Sequence, residues 1–203
     1  DDSLIAYPQG LTDDFEEFVT KTKKEYEITF ERDPKDFVGV SMTTLSDGAI
    51  KLSLGTWIDT KIAELERELD REFNIKGKEA WEPIDPNVKF VKLSDEESKE
   101  EMESLKGPIP NFHKVLGILQ YANHTCRPDI AYACCVLSQH QNTPSKEAVR
   151  QLYRTLDYLK RTKDYGLILG RKCDHKDQNG NYIISRDDDI QAFCDSNFGG
   201  DPK

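Results

Sequence analysis

The chain has 203 residues, of which 38 are acidic and 28 basic, giving a formal net charge of −10. Hydrophobic residues make up 36% and charged residues 33%, a polar composition that still provides a core for one large or two small domains. No apolar run reaches the roughly 20 residues that a membrane-spanning helix needs. The sequence does not open on a secretory signal, and its five cysteines form neither a paired framework nor a C-x-x-C motif. We therefore expect reduced cysteines and an intracellular protein that is not secreted.

The first 53 residues predict a strand, a helix and a hairpin. The run "SLIAY" predicts a short buried strand that ends at the turn 8–10. Thr12 is placed to cap a helix whose acidic first turn and lysine-rich last turn match the helix dipole. The runs "DFVGVSM" and "AIKLSL" predict two strands joined at the turn 46–48. Four apolar side chains of the helix have the spacing of one packed face: Phe15, Phe18, Val19 and Tyr26.

The middle of the chain predicts one amphipathic helix and a long charged segment. The helix is "WIDTKIAELERELDREF", with four aliphatic side chains inward: Ile58, Ile62, Leu65 and Leu69. Residues 76–110 are rich in charge, proline and glycine, which predicts a surface excursion. A solvated helical turn at 96–103 is the most structure that we expect there.

Three helices and then strands are predicted for the remainder. They are "NFHKVLGILQYANH", "PDIAYACCVLSQH" and a helix over 144–163, followed by strands at "GLILG", "YIIS" and "IQAFCDS". In the second helix Ile130, Ala133, Cys134 and Leu137 lie on one side. Because the helices and strands occur in separate blocks, we expect an α+β fold.

The charges are unevenly distributed. Residues 111–172 contain ten basic and four acidic side chains, a net of +6 within a chain of −10. The helix 144–163 carries basic residues outside its apolar face: Arg150, Arg154, Lys160 and Arg161. A solvated helix face is the commoner cause of such a pattern, and a phosphate-binding face in a larger machine is the other.

Few residues suggest chemistry by themselves. Asp1 and Asp2 are adjacent aspartates before an apolar run, and Asp195 stands between phenylalanines ahead of a glycine pair. Carboxylates in such positions suit Mg²⁺, but a two-metal site needs further ligands, and chance, a cap or strand termination is the commoner explanation of each aspartate. The phosphate-cradling, dinucleotide-binding and nucleophile-elbow motifs are missing.

The order of several motifs resembles the Pol polyprotein of copia-type LTR retrotransposons. "RPDIAYACCVLSQHQNTPSKEAVRQLYRTLDYLKRTKDYGLIL" is similar to the family's TRPDIAYAV, Leu-Ser pair, proline and helix ending in YLK-T-DYGL. "FHKVLGILQYANHT" resembles Y-x-x-x-VGSL-Y, and "AFCDSNFGGD" resembles SDADWAGD. "DDSLIAYPQG" resembles the YVDD loop from its aspartates onward, and "PKDFVGVSM" resembles LG-FLGIEI. The resemblance runs in order along nearly the whole chain.

This resemblance implies a reverse transcriptase, an RNA-directed DNA polymerase, joined to a ribonuclease H, with carboxylate-bound Mg²⁺ in each. Asp1 and Asp2 match the catalytic, metal-binding pair of the polymerase palm. Asp195 matches the first metal-binding carboxylate of ribonuclease H. Phe37, Val38 and Gly39 match the strand that supports the primer. Together with the four basic residues of helix 144–163 they are the expected nucleic-acid contacts.

The resemblance also implies a domain layout. Residues 1–54 correspond to the C-terminal part of the palm and its primer-supporting hairpin. Residues 55–110 correspond to a thumb helix and charged linker, and residues 111–165 to a helical thumb and connection block. Residues 166–203 correspond to the first strands of a ribonuclease H-like domain.

Departures from the family pattern limit what we expect of the chain. Asn197 and Phe198 replace a usual aspartate and tryptophan, and the chain starts within one active site and ends within another. We therefore expect a fragment that is catalytically incomplete alone, acting with the remaining Pol segments and a template–primer duplex in a cytoplasmic particle or the nucleus. The alternative is a non-catalytic relic, or one co-opted as a nucleic-acid or protein interaction module.

Overall fold

A computed structural model describes most of the chain. The described residues are 3–5, 9–46, 48–70, 72–73, 82–105 and 110–169, with the backbone alone at 174–176 and 182–184. The chain divides into two compact units, Asp1–Leu169 and Gly170–Lys203. The first unit contains every described helix and a four-stranded antiparallel sheet.

The first helix packs only part of its apolar face. A 3-10 turn at Gln9–Leu11 leads into α1, Thr12–Glu25. Thr12 is the first helical residue, and the preceding Leu11 makes no side-chain cap, so the predicted capping role of Thr12 is wrong. Phe15 and Val19 are buried, and the Phe15 ring lies 5.6 Å from that of Phe30. The predicted inward residues Phe18 and Tyr26 are instead exposed.

The predicted buried strand at "SLIAY" is not formed in its described part. Residues 3–5 have no strand conformation, and Leu4 and Ile5 are exposed. A strand is stable only with neighbours to pair with. None of the described strands pairs with these residues.

The sheet joins distant parts of the first unit in the order β1-β2-β3-β4. Its strands are β1 Asp36–Phe37, β2 Val40–Thr44, β3 Ile50–Ser53 and β4 Gly166–Leu169. The β2–β3 hairpin is confirmed. The single strand expected across "DFVGVSM" is wrong, because the chain reverses at residues 38–39 and β1 pairs back on β2.

Strand β4 places the boundary between units after residue 169. Residue 166 was expected to start the C-terminal domain, but Gly166 pairs with Ser53 and Leu169 with Ile50. The close approach of β3 explains the glycine. A Cβ atom at position 166 would lie 2.0 Å from the carbonyl oxygen of Leu52, far inside van der Waals contact.

Four helices enclose the main core. They are α2 Gly55–Leu69, α4 Phe112–Thr125, α5 Ala131–Ser138 and α6 Lys146–Arg161. A 3-10 turn at Pro128–Ile130 leads into α5. The inward faces predicted from periodicity are confirmed for α2 and α5, since every residue assigned to them is buried. Leucine and isoleucine side chains from all four helices share one hydrophobic cluster with Leu54.

Helix α3, Asp95–Glu103, lies in the segment expected to be a surface excursion. Ser94 and Glu97 form a reciprocal capping box that explains where this charged helix starts. The Ser98 hydroxyl donates to the carbonyl of Pro144 at 2.9 Å, and the amide of Lys146 donates to Glu101 at 2.7 Å. The acidic helix α3 therefore supplies a hydrogen-bond acceptor and a negative charge at the N-terminal end of α6, where a negative charge is favoured.

The second unit is described only as a short hairpin. Strands β5, Asp174–Lys176, and β6, Tyr182–Ile184, pair antiparallel. The predicted strand "YIIS" is confirmed at Tyr182–Ile184, whereas "IQAFCDS" lies outside the described residues. Within the described part of the chain, no helix has the length and apolarity required to cross a membrane.

Candidate nucleic-acid interface

A two-residue turn connects β1 to β2 at the site where the primer-supporting strand was expected. Phe37 pairs with Val40 across the turn, and Val38 and Gly39 form its tip. Their φ angles are +51° and +80°, as in the mirror-image turns whose twist suits a hairpin. Positive φ is easy for glycine but rare for a β-branched residue such as valine. Val38 nevertheless adopts it, with 58% of the residue exposed.

Two aromatic side chains, Tyr121 and Trp57, contact the backbone of this turn. The Tyr121 hydroxyl, on α4, donates to the carbonyl oxygen of Val38 at 2.7 Å. The ring of Trp57, on α2, lies 4.6 Å from the Tyr121 ring between centroids. A Cβ atom on Gly39 would lie 3.3 Å from Cδ1 of Trp57, so the turn backbone sits close against the indole. The turn is thus supported by two core helices as well as by pairing within its own hairpin, where the Ser41 hydroxyl donates to Asp36 at 2.6 Å.

The sequence predicted the residues of the turn but not the two aromatic side chains that support it. Phe37, Val38 and Gly39 do lie together, with Phe37 half-buried and the other two exposed. Tyr121 and Trp57 received no role. A signal existed for Tyr121, which ends the segment resembling VGSL-Y, but no pattern connects it to a turn 83 residues earlier.

The predicted basic face of α6 is partly neutralised within the protein. Only 11% of the Arg154 side chain is exposed, and its Nε donates to the carbonyl of Glu82 at 3.1 Å. The carboxylates of Glu82 and Asp85 lie 3.6 and 3.9 Å from its guanidinium. Lys160 pairs with Glu66 of α2 at 2.6 Å. These two cations hold α6 against its neighbours.

The other two predicted cations are more accessible. Arg150 is 67% exposed and pairs at 3.2 Å with Glu147, one turn earlier on the same helix. Arg161 is exposed at the last position of α6. At 100° per residue, Arg150, Arg154 and Arg161 lie within roughly 40° of one another on one side of the helix, whereas Lys160 lies roughly 100° away from Arg161. The four side chains therefore differ in exposure and partners more than in the side of the helix: Arg150 and Arg161 are exposed, and Arg154 and Lys160 are held at the α6 interfaces.

Acidic residues of α2 offset further positive charge nearby. Lys163 pairs with Asp59 at 2.6 Å, and Lys114 of α4 pairs with Glu68. The positive surplus of residues 111–172 thus meets carboxylates from earlier in the chain. The sequence showed the surplus but not this pairing, because the partners are about 50 to 100 residues apart.

The most distinctive part of the sequence resemblance builds an ion pair between a buried arginine and a partly exposed aspartate. Arg127 is fully buried and donates to both carboxylate oxygens of Asp129, at 2.9 and 2.7 Å. It also donates to the carbonyl oxygen of Thr162 at 3.0 Å and to the Thr162 hydroxyl. The Tyr158 hydroxyl donates to Asp129 at 2.8 Å, and the guanidinium lies over the Tyr158 and Tyr165 rings.

This cluster shifts the acid–base behaviour of its members. Partial burial raises the pKa of Asp129, but the hydrogen bonds from Arg127 and Tyr158 and the arginine charge outweigh burial, so the pKa is lowered overall. Burial, with the hydrogen bond to Asp129, raises the pKa of Tyr158 to about 12. Because the guanidinium makes its contacts inside the protein, we assign the cluster a structural role. It links "RPD" to "YLKRTKDYG".

The carboxylates implied as catalytic lie outside the described residues. They are Asp1, Asp2 and Asp195. In the part of the chain that the structure describes, no three His, Cys, Asp or Glu side chains come together as a metal site.

Comparison with known proteins supports the retrotransposon resemblance at a coarse level. The Ty1-ER2 Gag-Pol polyprotein of Saccharomyces cerevisiae is 24% identical over 208 aligned residues, covering 99% of this chain. The truncated Ty1-A Gag-Pol polyprotein of the same yeast is 23% identical over the same share of the chain. The chain is similar to Ty1 Gag-Pol polyproteins. This supports a copia-type retrotransposon polyprotein.

The match is confined to a small part of each relative. The chain spans 11% of the Ty1-ER2 polyprotein and 16% of the truncated Ty1-A polyprotein. No family model matches the sequence, and no solved structure matches it.

Proposed function

We propose that the chain is the reverse-transcriptase and ribonuclease H region of a copia-type Pol polyprotein, and that its described residues bind and position a template–primer duplex. The ordered motifs support this region. The observation that carries the proposal is the Val38–Gly39 turn, an exposed tip in a strained conformation on a rigid aromatic base. Strained backbone persists where the surrounding structure over-determines it, and it concentrates at functional sites.

The turn has the physical properties of a surface that positions a strand end. Its tip offers main-chain groups and one apolar side chain, none of which depends on base identity. Such contacts fix register and orientation without reading sequence. A polymerase that copies any template needs this kind of contact at its primer.

We assign the phosphate contacts to the accessible pair of cations, Arg150 and Arg161. Arginine binds phosphate oxygens with a planar set of donors, and each contact releases counterions. Arg154 and Lys160 already have acidic partners at the α6 interfaces, so we assign them to packing. The role proposed for the described residues is binding and positioning, and no step of it uses Mg²⁺.

A duplex titration of the 203-residue chain tests the proposal. Anisotropy is measured with a labelled duplex carrying a recessed 3′ end, over salt from about 50 to 200 mM. We expect the slope of log affinity against log salt to fall by about 2 in R150A/R161A, one unit per lost phosphate contact. The matched control K24A/K89A removes the same charge from exposed positions elsewhere. No binding by the unaltered chain, or an equal loss of slope in the control, contradicts the proposal.

The second candidate is a folded relic or co-opted module that does not bind duplex. The intramolecular pairing of Arg154, Lys160 and Lys163 favours it, since these cations already serve the fold. This candidate predicts a stably folded chain whose anisotropy signal does not change with duplex at about 50 mM salt, where phosphate contacts are strong.

A further inference from the structure

The Val38–Gly39 turn has a conformation that its own sequence does not favour. A valine in the left-handed region suffers contact between its Cβ and the following carbonyl. The usual residues of such a turn are Asn, Asp and Gly. Without outside support the turn would open or populate other shapes. What keeps it closed must come from the rest of the fold.

Two contacts supply that support, and both end on the turn backbone. The Tyr121 hydroxyl binds the Val38 carbonyl oxygen, which fixes the orientation of the strained peptide unit. The Trp57 ring lies against Gly39, where even a methyl group would make a tight contact. The two rings also pack on each other, at an interplanar angle of 36°. Because they come from α2 and α4, they link the turn to the main core.

We infer that Trp57 and Tyr121 are positioning residues, which hold the Val38–Gly39 turn in the shape that meets the primer strand. This inference rests on the proposed function and adds two residues to it. The pair acts through the turn and need not touch nucleic acid. Val38 is then the contact itself, since it is largely exposed.

The Tyr121 hydroxyl can be removed without removing the ring. In Y121F the aromatic packing on Trp57 remains, and the hydrogen bond to Val38 is lost. The matched control is Y132F, which removes a hydroxyl from an exposed tyrosine on α5. A third variant, Y121F/V38N, introduces a residue that tolerates positive φ, so the turn no longer needs the hydroxyl.

Hydrogen exchange of the free chain tests the support itself. We expect amides of the hairpin 36–41 to exchange about 2- to 10-fold faster in Y121F. This is the factor by which the loss of one hydrogen bond shifts the equilibrium between the closed and the open hairpin. Y132F leaves the rate unchanged, and Y121F/V38N restores it. Unchanged exchange in Y121F overturns the inference whatever the chain binds.

Duplex binding tests the functional half separately. We expect the unaltered chain to prefer a duplex with a recessed 3′ end over a blunt duplex of equal length, and Y121F to lose this preference while retaining blunt-duplex affinity. Because V38N alters the contact residue, Y121F/V38N serves the exchange measurement alone, and retention of the preference in Y132F is the control for binding. If exchange responds but the unaltered chain shows no preference, the primer contact fails, and with it the positioning role. That result would contradict the proposed function, while the support of the turn by Tyr121 would still hold.

Discussion

Arg127 donates to the main-chain carbonyl of Thr162, 35 residues further along the chain, at 3.0 Å. This one contact joins the turn before α5 to the end of α6. It is completed by Asp129 on one side and the Thr162 hydroxyl on the other. The two most distinctive motifs of the sequence, "RPDIAYA" and "YLKRTKDYG", are therefore halves of one buried cluster.

Replacing Asp129 tests the importance of this cluster for stability. In D129N the guanidinium of Arg127 stays buried but loses its charged partner; because 33% of the Asp129 side chain is exposed, we expect a cost of about 2 kcal/mol, below that of a fully buried pair. We expect the free energy of unfolding in urea to fall by that order. The control E147Q removes the partner of an exposed arginine and should cost less than about 1 kcal/mol. Similar losses in both variants would contradict a special role for the Arg127–Asp129 pair.

The same pair predicts how stability depends on pH. The pKa of Asp129 is lowered in the folded state, so its contribution is present above the pKa of the unfolded chain, about 4, and is lost as pH falls through the folded value. The difference in unfolding free energy between the unaltered chain and D129N should be full at pH 6 and shrink below about pH 4. Urea titrations at several pH values measure this difference. A gap that stays constant down to about pH 2 would contradict the assignment.

Relieving strain at Val38 should stabilise the protein. The left-handed conformation costs most residues about 1 to 2 kcal/mol, and asparagine tolerates it. We therefore expect V38N to raise the free energy of unfolding by about 1 kcal/mol. The control V91N changes an equally exposed valine at a position without positive φ. A gain in both variants would show that the effect comes from polarity at the surface and not from the turn.

The two kinds of cation on α6 should behave differently when replaced. R154M removes the partner of Glu82 and Asp85, so we expect lower thermal stability with an unchanged salt slope of duplex binding. R150M should lower the salt slope by about 1 and leave stability nearly unchanged. Thermal denaturation and duplex titration of the same preparations give both readouts. The reverse pattern would place the duplex contact on Arg154.

The spacing of apolar residues predicted correctly which side chains of α2 are buried. Ile58, Ile62, Leu65 and Leu69 recur at helical spacing and are all buried, and the β2–β3 hairpin lies where glycine marks its turn. The Val38–Gly39 turn could not be predicted in the same way. Valine is a strand former, and Trp57 and Tyr121, which support the reversal, are distant from it in sequence.

Charge was the least predictable property of the site. Counting residues in 111–172 gave the correct surplus, but pairing depends on which helices pack together. Arg154 and Lys160 find acidic partners 72 and 94 residues away, respectively. A count of charged residues does not distinguish Arg127 from the other basic residues, yet its side chain is fully buried. Long-range pairs of this kind have no local sequence pattern.

The central claim is that the Val38–Gly39 turn meets a primer end, and photo-crosslinking tests it most directly. A duplex is prepared with a photoreactive group on the recessed 3′-terminal nucleotide, bound to the 203-residue chain, irradiated and digested. Mass spectrometry then locates the attached peptide. The account predicts attachment at residues 36–41, reduced in Y121F and unchanged in Y132F. Attachment elsewhere, or spread over the surface without preference for this turn, would contradict it.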